Sequence, residues 1–329
     1  MEVSANDSRD MLDSPSPARP VIAVLIPCHN EEAAIAKVVR DFCSALPEAT
    51  IFVYDNNSTD ATVTEARRAG AVVRREPLRG KGNVVRRMFA DIEADVYVLV
   101  DGDDTYDASA ARRLVERLLT DSLDMIQAAR IPLSDNVYRL GHRFGNNLLT
   151  GIVRYIFGSN VVDMLTGYRV MSWRFVKSFP LISSGFEIET ELAIHALQLR
   201  LPCSEVPLGY RERPQGSASK LKTYSDGARI LRFIFRLIKE EKPFQFFGTI
   251  FLLLACTSVI LEIPVIATYL HTGLVPRLPT AVLGTGLGLL AFLSLACGLI
   301  LDTVTRGRVE MKRLHYLELP LRFNPVRRP

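Results

Sequence analysis

Residues 21–32, with the sequence VIAVLIPCHNEE, decide the fold class of this chain. The first six are apolar and mostly β-branched, which predicts a strand buried on both faces, and a stretch with helical spacing follows over residues 31–46. The same succession then repeats. Further strands are predicted at 51–54, 71–73, 96–100 and 125–129, with further helices at 60–69, 81–91 and 107–119. Strands that alternate with helices predict an α/β domain with a mostly parallel sheet and helices on both faces.

The composition argues against several classes of protein. The 329 residues carry a formal net charge of +4, which is too small to support a nucleic-acid partner. The cysteines are Cys28, Cys43, Cys203, Cys256 and Cys297. Because they are odd in number and include no C-x-x-C pair, we expect neither a disulfide framework nor a zinc site, and a reducing compartment fits best.

Two C-terminal segments are almost without charge. Segments 246–270 and 281–301 are each long enough to cross the hydrocarbon core of a bilayer, which takes about 20 residues. Arg and Lys are frequent in residues 229–242 and 306–313, so the positive-inside rule puts both ends of this hairpin in the cytoplasm. A buried helical pair of a soluble protein is the alternative, and Glu262 is a costly residue for a membrane span.

The chain therefore divides into five expected parts. These are a disordered tail over residues 1–20, the α/β domain over 21–224, a basic amphipathic helix over 225–243, two membrane-spanning helices within 244–303, and a basic cytoplasmic tail over 304–329. The amphipathic helix is predicted to lie at the membrane interface, because basic residues are interspersed with apolar ones at helical spacing. The first twenty residues lack the apolar core of a signal peptide.

Polar motifs follow three of the predicted strands. They are IPCHNEE at residues 26–32, DNNSTDAT at residues 55–62 and DGDD at residues 101–104. Each motif alone is compatible with an ordinary turn or an exposed acidic loop. Since ligands of parallel sheets bind at the carboxyl ends of the strands, the three motifs together predict a single binding site.

The residue types in these motifs suit a nucleotide that carries a diphosphate. Asp101 and Asp103 lie two residues apart, so both carboxylates can face one hard divalent cation. Such a cation stabilises the charge that develops on a departing diphosphate. Asp55 can accept a hydrogen bond from a base. Lys81 stands between two glycines, an arrangement that brings a cation and close backbone donors to phosphate.

The motifs resemble those of the family 2 glycosyltransferases, and within them the polyprenyl-phosphate glycosyltransferases of the dolichyl-phosphate mannose or glucose synthase type. IPCHNEE is similar to their opening nucleotide-binding motif, DNNSTDAT to their base-contacting loop and DGDD to their D-x-D metal motif. The resemblance continues through TGYR at 166–169, GFE at 185–187 and RERPQGSASK at 211–220. It covers about residues 21–220 and implies a GT-A type nucleotide-sugar-binding domain followed by a two-helix transmembrane hairpin.

The resemblance implies a role for each matching residue. The donor nucleotide would be held by Pro27, His29, Asn30, Glu31, Asp55, Lys81, Asp101 and Gly102. The cation, Mg2+ or Mn2+, would be held by Asp101 and Asp103. The donor diphosphate and the acceptor phosphate would be gathered by Arg169, Arg213, Ser217, Ser219 and Lys220. The expected catalytic residues are Asp103, Arg169 and Glu187.

The expected reaction is an inverting transfer from a UDP- or GDP-linked sugar to polyprenyl phosphate. The acceptor phosphate is already anionic near neutral pH, so a strong general base is not required. Among the acids of one helix, Glu187 is preferred over Glu189 and Glu191 for a direct role. Residues 104–106, Asp-Thr-Tyr, replace the Leu-Gln-His of the mannose synthases, which leaves the third metal ligand open and slightly favours UDP-linked sugars.

Two alternative functions stay open. A related transferase would extend a glycan or glycosylate diacylglycerol, although a single hairpin and a sequence without Q-x-x-R-W favour a single transfer to a lipid. A catalytically silent nucleotide-sugar-binding scaffold is disfavoured by the D-x-D acids and the basic loop at 211–220. Membrane lipids are expected partners, at the cytoplasmic face of the inner membrane. A homo-oligomer is expected by family analogy alone, with Gly284, Gly286 and Gly288 permitting close helix contact.

Overall fold

The computed structural model describes residues 19–132, 150–158, 163–181, 183, 185, 187–214 and 235–322. The strands are β1 (Ile22–Cys28), β2 (Thr50–Asp55), β3 (Val72–Arg75), β4 (Val96–Leu99), β5 (Met125–Pro132), β6 (Arg169–Ser172) and β7 (Cys203–Tyr210). The helices of the α/β domain are α1 (Ile35–Ala45), α2 (Thr62–Arg68), α3 (Lys81–Asp91), α4 (Ala111–Thr120), α5 (residues 150–157), α6 (Trp173–Ser178) and α7 (Ile188–Leu199). The C-terminal helices are α8 (residues 235–241), α9 (Pro243–Thr272) and α10 (Leu278–Glu318).

The strands form one seven-stranded sheet in the order β3-β2-β1-β4-β6-β5-β7. Strand β6 runs antiparallel to both of its neighbours, and the other paired strands are parallel to one another. The predicted α/β class with a mostly parallel sheet is therefore confirmed. The carboxyl end of β4 lies beside the beginning of β6, since Leu99 pairs with Arg169.

Both faces of the sheet are buried, which explains the continuous apolar run in β1. Ile22, Val24 and Ile26 belong to the core on the side of α1 and α4, whereas Ala23 and Leu25 belong to the core on the side of α3, α6 and α7. Successive side chains of a strand point to opposite faces, so a strand covered on both sides needs apolar residues at every position.

The helix predicted over residues 31–46 begins later than expected, at Ile35. Asn30 has a φ of 52°, in the left-handed region, which an α-helix does not allow. The carbonyl oxygen of Glu31 then accepts hydrogen bonds from the amides of Ala34 and Ile35, at 3.1 and 2.9 Å. The opening motif is therefore a loop that leads into α1, and its side chains are carried at the edge of the sheet.

Helices α9 and α10 are long and apolar enough to cross a membrane and contain both predicted spans. They pack against each other, while much of their apolar surface stays exposed; Leu253 and Phe292, for example, are 65% and 67% exposed. A core helix of a soluble protein would bury such side chains. Gly273 ends α9 with a φ of 67°, a conformation that glycine adopts readily at a helix end.

The C-terminal tail predicted over residues 304–329 contains the end of α10. Helix α10 continues without interruption to Glu318, and its last turns pack against α6 and α7. In this stretch Lys312 donates to Gln198 of α7, and Arg308 pairs with Glu241 of α8. Of the predicted amphipathic helix, residues 235–241 are helical, and residues 225–234 lie outside the described residues.

Candidate active site

The three sequence motifs meet at one edge of the sheet. They follow β1, β2 and β4, whose carboxyl ends lie side by side because β1 pairs with both β2 and β4. Each motif contains one residue with a left-handed backbone, namely Asn30 (φ 52°), Asn57 (φ 62°) and Asp104 (φ 58°). Asn and Asp tolerate this region better than other side-chain-bearing residues, so these sequences can turn sharply at the strand ends.

The first two motifs are joined by hydrogen bonds into one wall. The Asn30 amide donates to Ser58 Oγ at 2.9 Å, and Asn30 Oδ1 accepts from the Thr59 amide at 2.8 Å. The Glu31 amide donates to Thr62 Oγ1 at 2.8 Å. Asp55 is 4% exposed, and the Ser58 amide donates to its Oδ1 at 3.1 Å. The residues expected to bind the nucleotide are thus held in place by each other.

Asn56 fixes the loop that precedes α3. Its side-chain nitrogen donates to the carbonyl oxygens of Glu76 and Leu78, at 2.9 and 2.8 Å, and its Oδ1 accepts from the Gly80 amide at 2.8 Å. Gly80 has a φ of 121°, which is strained for any residue with a Cβ. This turn places Lys81 at the beginning of α3, where it points to the third motif.

Five charged side chains gather around that third motif. Lys81 Nζ contacts Asp101 Oδ1 and lies 2.5 Å from Glu189 Oε1. Arg213 Nη2 lies 2.7 Å from Asp103 Oδ2. The side chains of Lys81, Glu189 and Asp103 are at most 10% exposed, whereas those of Asp101 and Arg213 are 30% and 31% exposed. The accessible part of the cluster is therefore formed by Asp101 and Arg213.

The acids of this cluster titrate differently. Burial alone would raise the pKa of Asp101, but Lys81 outweighs it and holds that pKa below its ordinary value. Burial, together with the neighbouring charge of Asp101, raises the pKa of Asp103. Burial also raises the pKa of Glu189, although Lys81 acts against it. Burial would lower the pKa of Lys81, and the two carboxylates that it contacts raise it instead.

Two glycines lie where close packing beside Asp101 leaves no room for a Cβ. A Cβ on Gly102 would lie 2.6 Å from Cys28 Sγ and 3.3 Å from Ile26 Cγ2, too close for an unstrained contact. A Cβ on Gly167 would collide with the Asp101 carboxylate. The loop before β6 can therefore approach the D-x-D motif only with glycine at position 167.

Arg169 lies below this edge, at the beginning of β6, and is 1% exposed. Its Nη2 donates to the Met164 carbonyl oxygen at 3.2 Å, while Nε and Nη1 have no hydrogen-bond partner among the described residues. Burial lowers the pKa of Arg169 to about 10, although the charges of Glu189 and Asp163 oppose this. The guanidinium is thus a buried charge close to the cluster and does not lie on an open surface.

A second ion pair borders the cluster on the side of β5. Arg130 binds Asp163 through two contacts, with Nε 2.7 Å from Oδ2 and Nη2 2.8 Å from Oδ1. The Arg130 guanidinium also lies 5.5 Å from the centre of the Tyr210 ring. The charge of Arg130 adds to those of Lys81 and Arg213 in lowering the pKa of Asp101.

The structure thus brings Lys81, Asp101, Asp103 and Arg213 into one cluster, beside the wall that carries Asn30, Glu31 and Asp55. Pro27 lies in β1 opposite Tyr54, and His29 follows directly after that strand. Glu187 precedes α7 and is half-buried, with its carboxylate against Gly185. Ser217, Ser219 and Lys220 lie outside the described residues.

Glu189 is the acid that contacts Lys81. The sequence preferred Glu187 for a direct role, and that preference stays a prediction. Helical spacing cannot rank the acids of a helix before it is known which face packs against the sheet. A signal was present, because IETELAIHALQL is apolar on most of its faces and an acid inside such a helix requires a cationic partner. Asn56, Thr105 and Arg130 were not singled out either, because their roles depend on contacts with distant segments.

The acids of the third motif suit a divalent cation that is shared with a substrate. No group of three or more His, Cys, Asp or Glu side chains within the described ranges is placed to hold a metal ion. Asp101 and Asp103 supply carboxylate oxygens, and Thr105 Oγ1 donates to Asp103 Oδ1 at 2.6 Å, which fixes that carboxylate. Mg2+ is commonly bound by one or two carboxylates together with phosphate oxygens and water, so this donor set fits such an ion.

Comparison with known proteins identifies relatives over most of the chain. Glycosyltransferase AglJ of Haloferax volcanii is 30% identical over 305 residues, which are 92% of this chain and 100% of that protein. The dolichyl-phosphate hexose transferase of the same organism is 28% identical over 222 residues, 67% of this chain and 95% of that protein. An uncharacterized protein of Shigella flexneri is 53% identical over 154 residues, 47% of this chain and 94% of that protein.

Solved structures confirm the fold. Glucosyl-3-phosphoglycerate synthase of Mycobacterium tuberculosis, in complex with Mn2+, UDP and glucosyl-3-phosphoglycerate, has a TM-score of 0.53 and 27% identity, covering 68% of this chain and 80% of that one. The same enzyme with phosphoglyceric acid gives 0.54 and 26%, with the same coverage. The predicted GT-A class is confirmed by these neighbours, and residues 23–177 match glycosyl transferase family 2. The chain belongs to glycosyl transferase family 2.

Proposed function

We propose that this glycosyltransferase transfers a sugar from a nucleotide-sugar to polyprenyl phosphate at a membrane surface. The proposal rests on two features that occur together in this molecule. A charged cluster suited to a diphosphate lies in a domain that is bound, through α10, to a hairpin of two apolar helices. The cluster suits a diphosphate donor, and the hairpin would hold the enzyme at the surface where a membrane lipid acceptor lies.

The relatives support this acceptor class. One is named a dolichyl-phosphate hexose transferase, and the match covers 95% of its length. The structural neighbour was crystallised with Mn2+ and UDP-glucose together with phosphoglyceric acid, which is itself a phosphorylated acceptor molecule. Transfer of a sugar to a phosphorylated acceptor, with a UDP-linked donor, is therefore the chemistry that we expect for this chain, with GDP-linked donors as the alternative.

The donor would lie across the three strand-end motifs. Pro27, His29, Asn30, Glu31 and Asp55 are the proposed wall for the nucleotide. Asp101 and Asp103 would hold Mg2+ or Mn2+. When bound, such an ion would stabilise the negative charge that grows on the diphosphate as the sugar–phosphate bond breaks. Lys81 and Arg213 already lie within contact distance of these carboxylates and would add positive charge for the same leaving group.

The acceptor would approach from the accessible side of the cluster. Its phosphate oxygen would bond to the anomeric carbon while the bond from that carbon to the nucleoside diphosphate breaks, which inverts the configuration. The phosphate needs no strong base, so positioning by charge should dominate. Arg213, Arg169, Ser217, Ser219 and Lys220 are the proposed phosphate-binding residues. Glu187 stays a candidate for a direct role, and Glu189 would hold Lys81 in place.

The hairpin would cross the inner membrane, with the catalytic domain on the cytoplasmic face. The basic residues on both sides of the apolar segments support this orientation. We retain the proposed division into a catalytic domain over residues 21–224 and an interfacial helix over 225–243, with spans inside 244–303. We also retain the basic cytoplasmic tail over 304–329, in which α10 extends to Glu318.

The test is a transfer assay with purified full-length protein in lipid vesicles. Radiolabelled UDP- and GDP-sugars are offered with undecaprenyl phosphate, with Mg2+, Mn2+ or a chelator. We expect a labelled, solvent-extractable lipid that requires the metal. Asp103→Asn should lower the rate by about 100-fold or more, because it weakens the binding of the cation that would stabilise the charge on the leaving group. Asp121→Asn is the matched control, since Asp121 pairs with Arg117 on the exposed end of α4.

Phosphoglyceric acid and diacylglycerol complete the acceptor panel. If either of them gives product and undecaprenyl phosphate gives none, the natural acceptor belongs to another class. Metal-dependent nucleotide binding without transfer to any acceptor would instead favour the silent scaffold.

A further inference from the structure

The C-terminal part of α10 is bound to the α/β domain at several points. We call residues 305–322 the docking segment. Tyr316 OH donates to Asp124 Oδ2 at 2.6 Å, and the Arg174 Nε donates to the Tyr316 carbonyl oxygen at 3.1 Å. The Arg174 guanidinium also lies 3.9 Å from the centre of the Tyr316 ring. Tyr316 is therefore held by a hydrogen bond to a carboxylate and by an arginine above its ring.

Asp124, the partner of Tyr316, lies at the amino-terminal end of β5. Asp124 directly precedes Met125, the first residue of that strand, and is 4% exposed; Ser172 Oγ donates to its Oδ1 at 2.7 Å. Its backbone amide donates to the Pro202 carbonyl oxygen, and its own carbonyl oxygen accepts from the Ser172 amide, at 2.8 and 2.9 Å. Residues 124, 172 and 202 adjoin β5, β6 and β7, so Tyr316 is attached to the edge of the sheet opposite the active site.

The same helix is attached a second time, closer to the apolar spans. Thr305 Oγ1 and Arg308 Nη2 donate to the Glu240 carbonyl oxygen, at 3.1 and 3.2 Å. Lys312 Nζ donates to Gln198 Oε1, at the end of α7, at 2.8 Å. Glu240 belongs to α8, whereas Gln198 belongs to the α/β domain. Lys312 and Tyr316, which both bind that domain, are four residues apart, or about 6 Å at 1.5 Å per residue.

The α/β domain is thus bound to α10 at two places, through Lys312 at the end of α7 and through Tyr316 at the edge of the sheet, which restricts the domain more than a single linker could. The chain enters α9 through α8, and α8 packs against α7 through Leu237 and Ile194. A domain held only by that connection could rotate on the hairpin. The docking segment opposes this rotation because it holds the far edge of the sheet.

We propose that the docking segment fixes the orientation of the active-site edge relative to the membrane hairpin, with Tyr316 as a positioning residue for a membrane-held acceptor. This inference rests on the proposed function, because it assumes that the acceptor is held in the bilayer. Tyr316 is remote from the charged cluster, so its loss should alter the encounter with a lipid acceptor and leave nucleotide binding unchanged.

The docking itself can be measured without any activity, because the chain has a single tryptophan. The Arg322 guanidinium lies 3.9 Å from the centre of the Trp173 ring, and Arg322 also pairs with Glu93 at 3.3 Å. Release of the docking segment should therefore expose Trp173. We expect Tyr316→Ala to increase acrylamide quenching of its fluorescence in vesicles, and Tyr316→Phe, which keeps the ring, to have a smaller effect.

Met311→Ala is the matched control for these variants. Met311 is on the same helix, and its side chain is 73% exposed. Its replacement should leave Trp173 quenching unchanged. Equal quenching in wild type, Tyr316→Ala and Met311→Ala would overturn the docking role.

The positioning role is tested by comparing two acceptors. Undecaprenyl phosphate is presented in vesicles, and a short water-soluble prenyl phosphate is presented in solution. Tyr316→Ala should raise the KM for the vesicle-bound acceptor by about tenfold or more, because small errors of placement can cost as much as 100-fold. The KM for the soluble acceptor and the affinity for UDP should be unchanged.

A loss of the same size with both acceptors would mean that Tyr316 acts only on stability and would refute the positioning role. The positioning role would be supported if Tyr316→Phe folds and has an intermediate KM for the vesicle-bound acceptor. If the wild type transfers sugar to neither acceptor, the proposed function fails and the positioning role fails with it. The quenching measurement would then still decide whether the segment is docked.

Discussion

Gly102→Ala is predicted to destabilise the protein through one identifiable collision. The added Cβ would lie 2.6 Å from Cys28 Sγ and 3.3 Å from Ile26 Cγ2. Favourable contacts between non-bonded carbon atoms lie near 3.5–4.0 Å, so the thiol would have to move by roughly 1 Å. Cys28 is 3% exposed and belongs to β1, where it pairs with Asp55 of β2, so its backbone cannot give way easily.

The expected cost follows from this lack of space. Overpacking of a well-filled core costs about 1–3 kcal/mol, and rotation of the thiol would bring the cost toward the lower end. Cys28→Ala removes the closest atom, so the double variant should recover part of the loss. We expect a coupling energy of about 1–2 kcal/mol, within the range seen for residues in contact. For a domain of this size, each 1 kcal/mol shifts Tm by roughly 2–4 °C.

The assay is thermal unfolding of wild type, both single variants and the double variant in the same detergent, with UDP affinity measured by calorimetry. Gly151→Ala is the control, since a Cβ there meets nothing within 4 Å among the described residues. The geometric reasoning would be refuted if Gly102→Ala unfolded at the wild-type temperature. It would also fail if the two single losses simply added in the double variant.

Three further predictions concern buried groups. Burial lowers the pKa of His195 to about 3, so below pH 6.5 the unfolded chain gains a proton on this residue that the folded chain does not. The free energy of unfolding should therefore fall by about 2 kcal/mol from pH 7 to pH 5, and by less in His195→Gln. Tyr97→Phe should cost about 1–3 kcal/mol, because the phenol bonds a buried carbonyl oxygen and a buried amide, at 2.9 and 3.1 Å. Gly284→Leu should lower the Tm of the hairpin, because a Cβ there already lies 2.9 Å from Glu262 Cγ, whereas Gly286→Leu should not.

Each of these has a direct check. The histidine prediction would be contradicted if wild type and His195→Gln lost the same stability between pH 7 and pH 5. His271→Gln, in the last turn of α9, is the control. For Tyr97→Phe, an unchanged melting temperature would show that water replaces the lost bonds. For the glycines, equal destabilisation by both leucines would mean that close helix contact at residue 284 is not the cause.

The arrangement of the three motifs was predictable from the sequence alone. Apolar runs that end in polar residues identified β1, β2 and β4, and parallel strands bring their carboxyl ends to one edge. Asp101, Asp103 and Lys81 could therefore be assigned to one site before any contact was known, and the structure brings them together. The apolar hairpin was equally clear, because length and composition alone define a possible span.

The partners of those residues were decided by the tertiary structure. Glu189 rather than Glu187 contacts Lys81, because packing of α7 against the sheet selects which acid faces α3. Tertiary packing also decided that β6 lies between β4 and β5, which places Arg169 beneath Asp101. A one-dimensional pattern records the period of an element, but it does not record which neighbour the element meets.

The sequence by itself determined the α/β class, the strand-end motifs and the apolar spans, because each depends on residues that are close together in the chain. Only the tertiary structure decided the ion pairs of the site and the docking of α10 through Tyr316, which is 192 residues away from Asp124. Such contacts join segments whose separation leaves no local pattern. Their free energy comes from the burial and charge of both partners at once, and it exists only after the chain has folded.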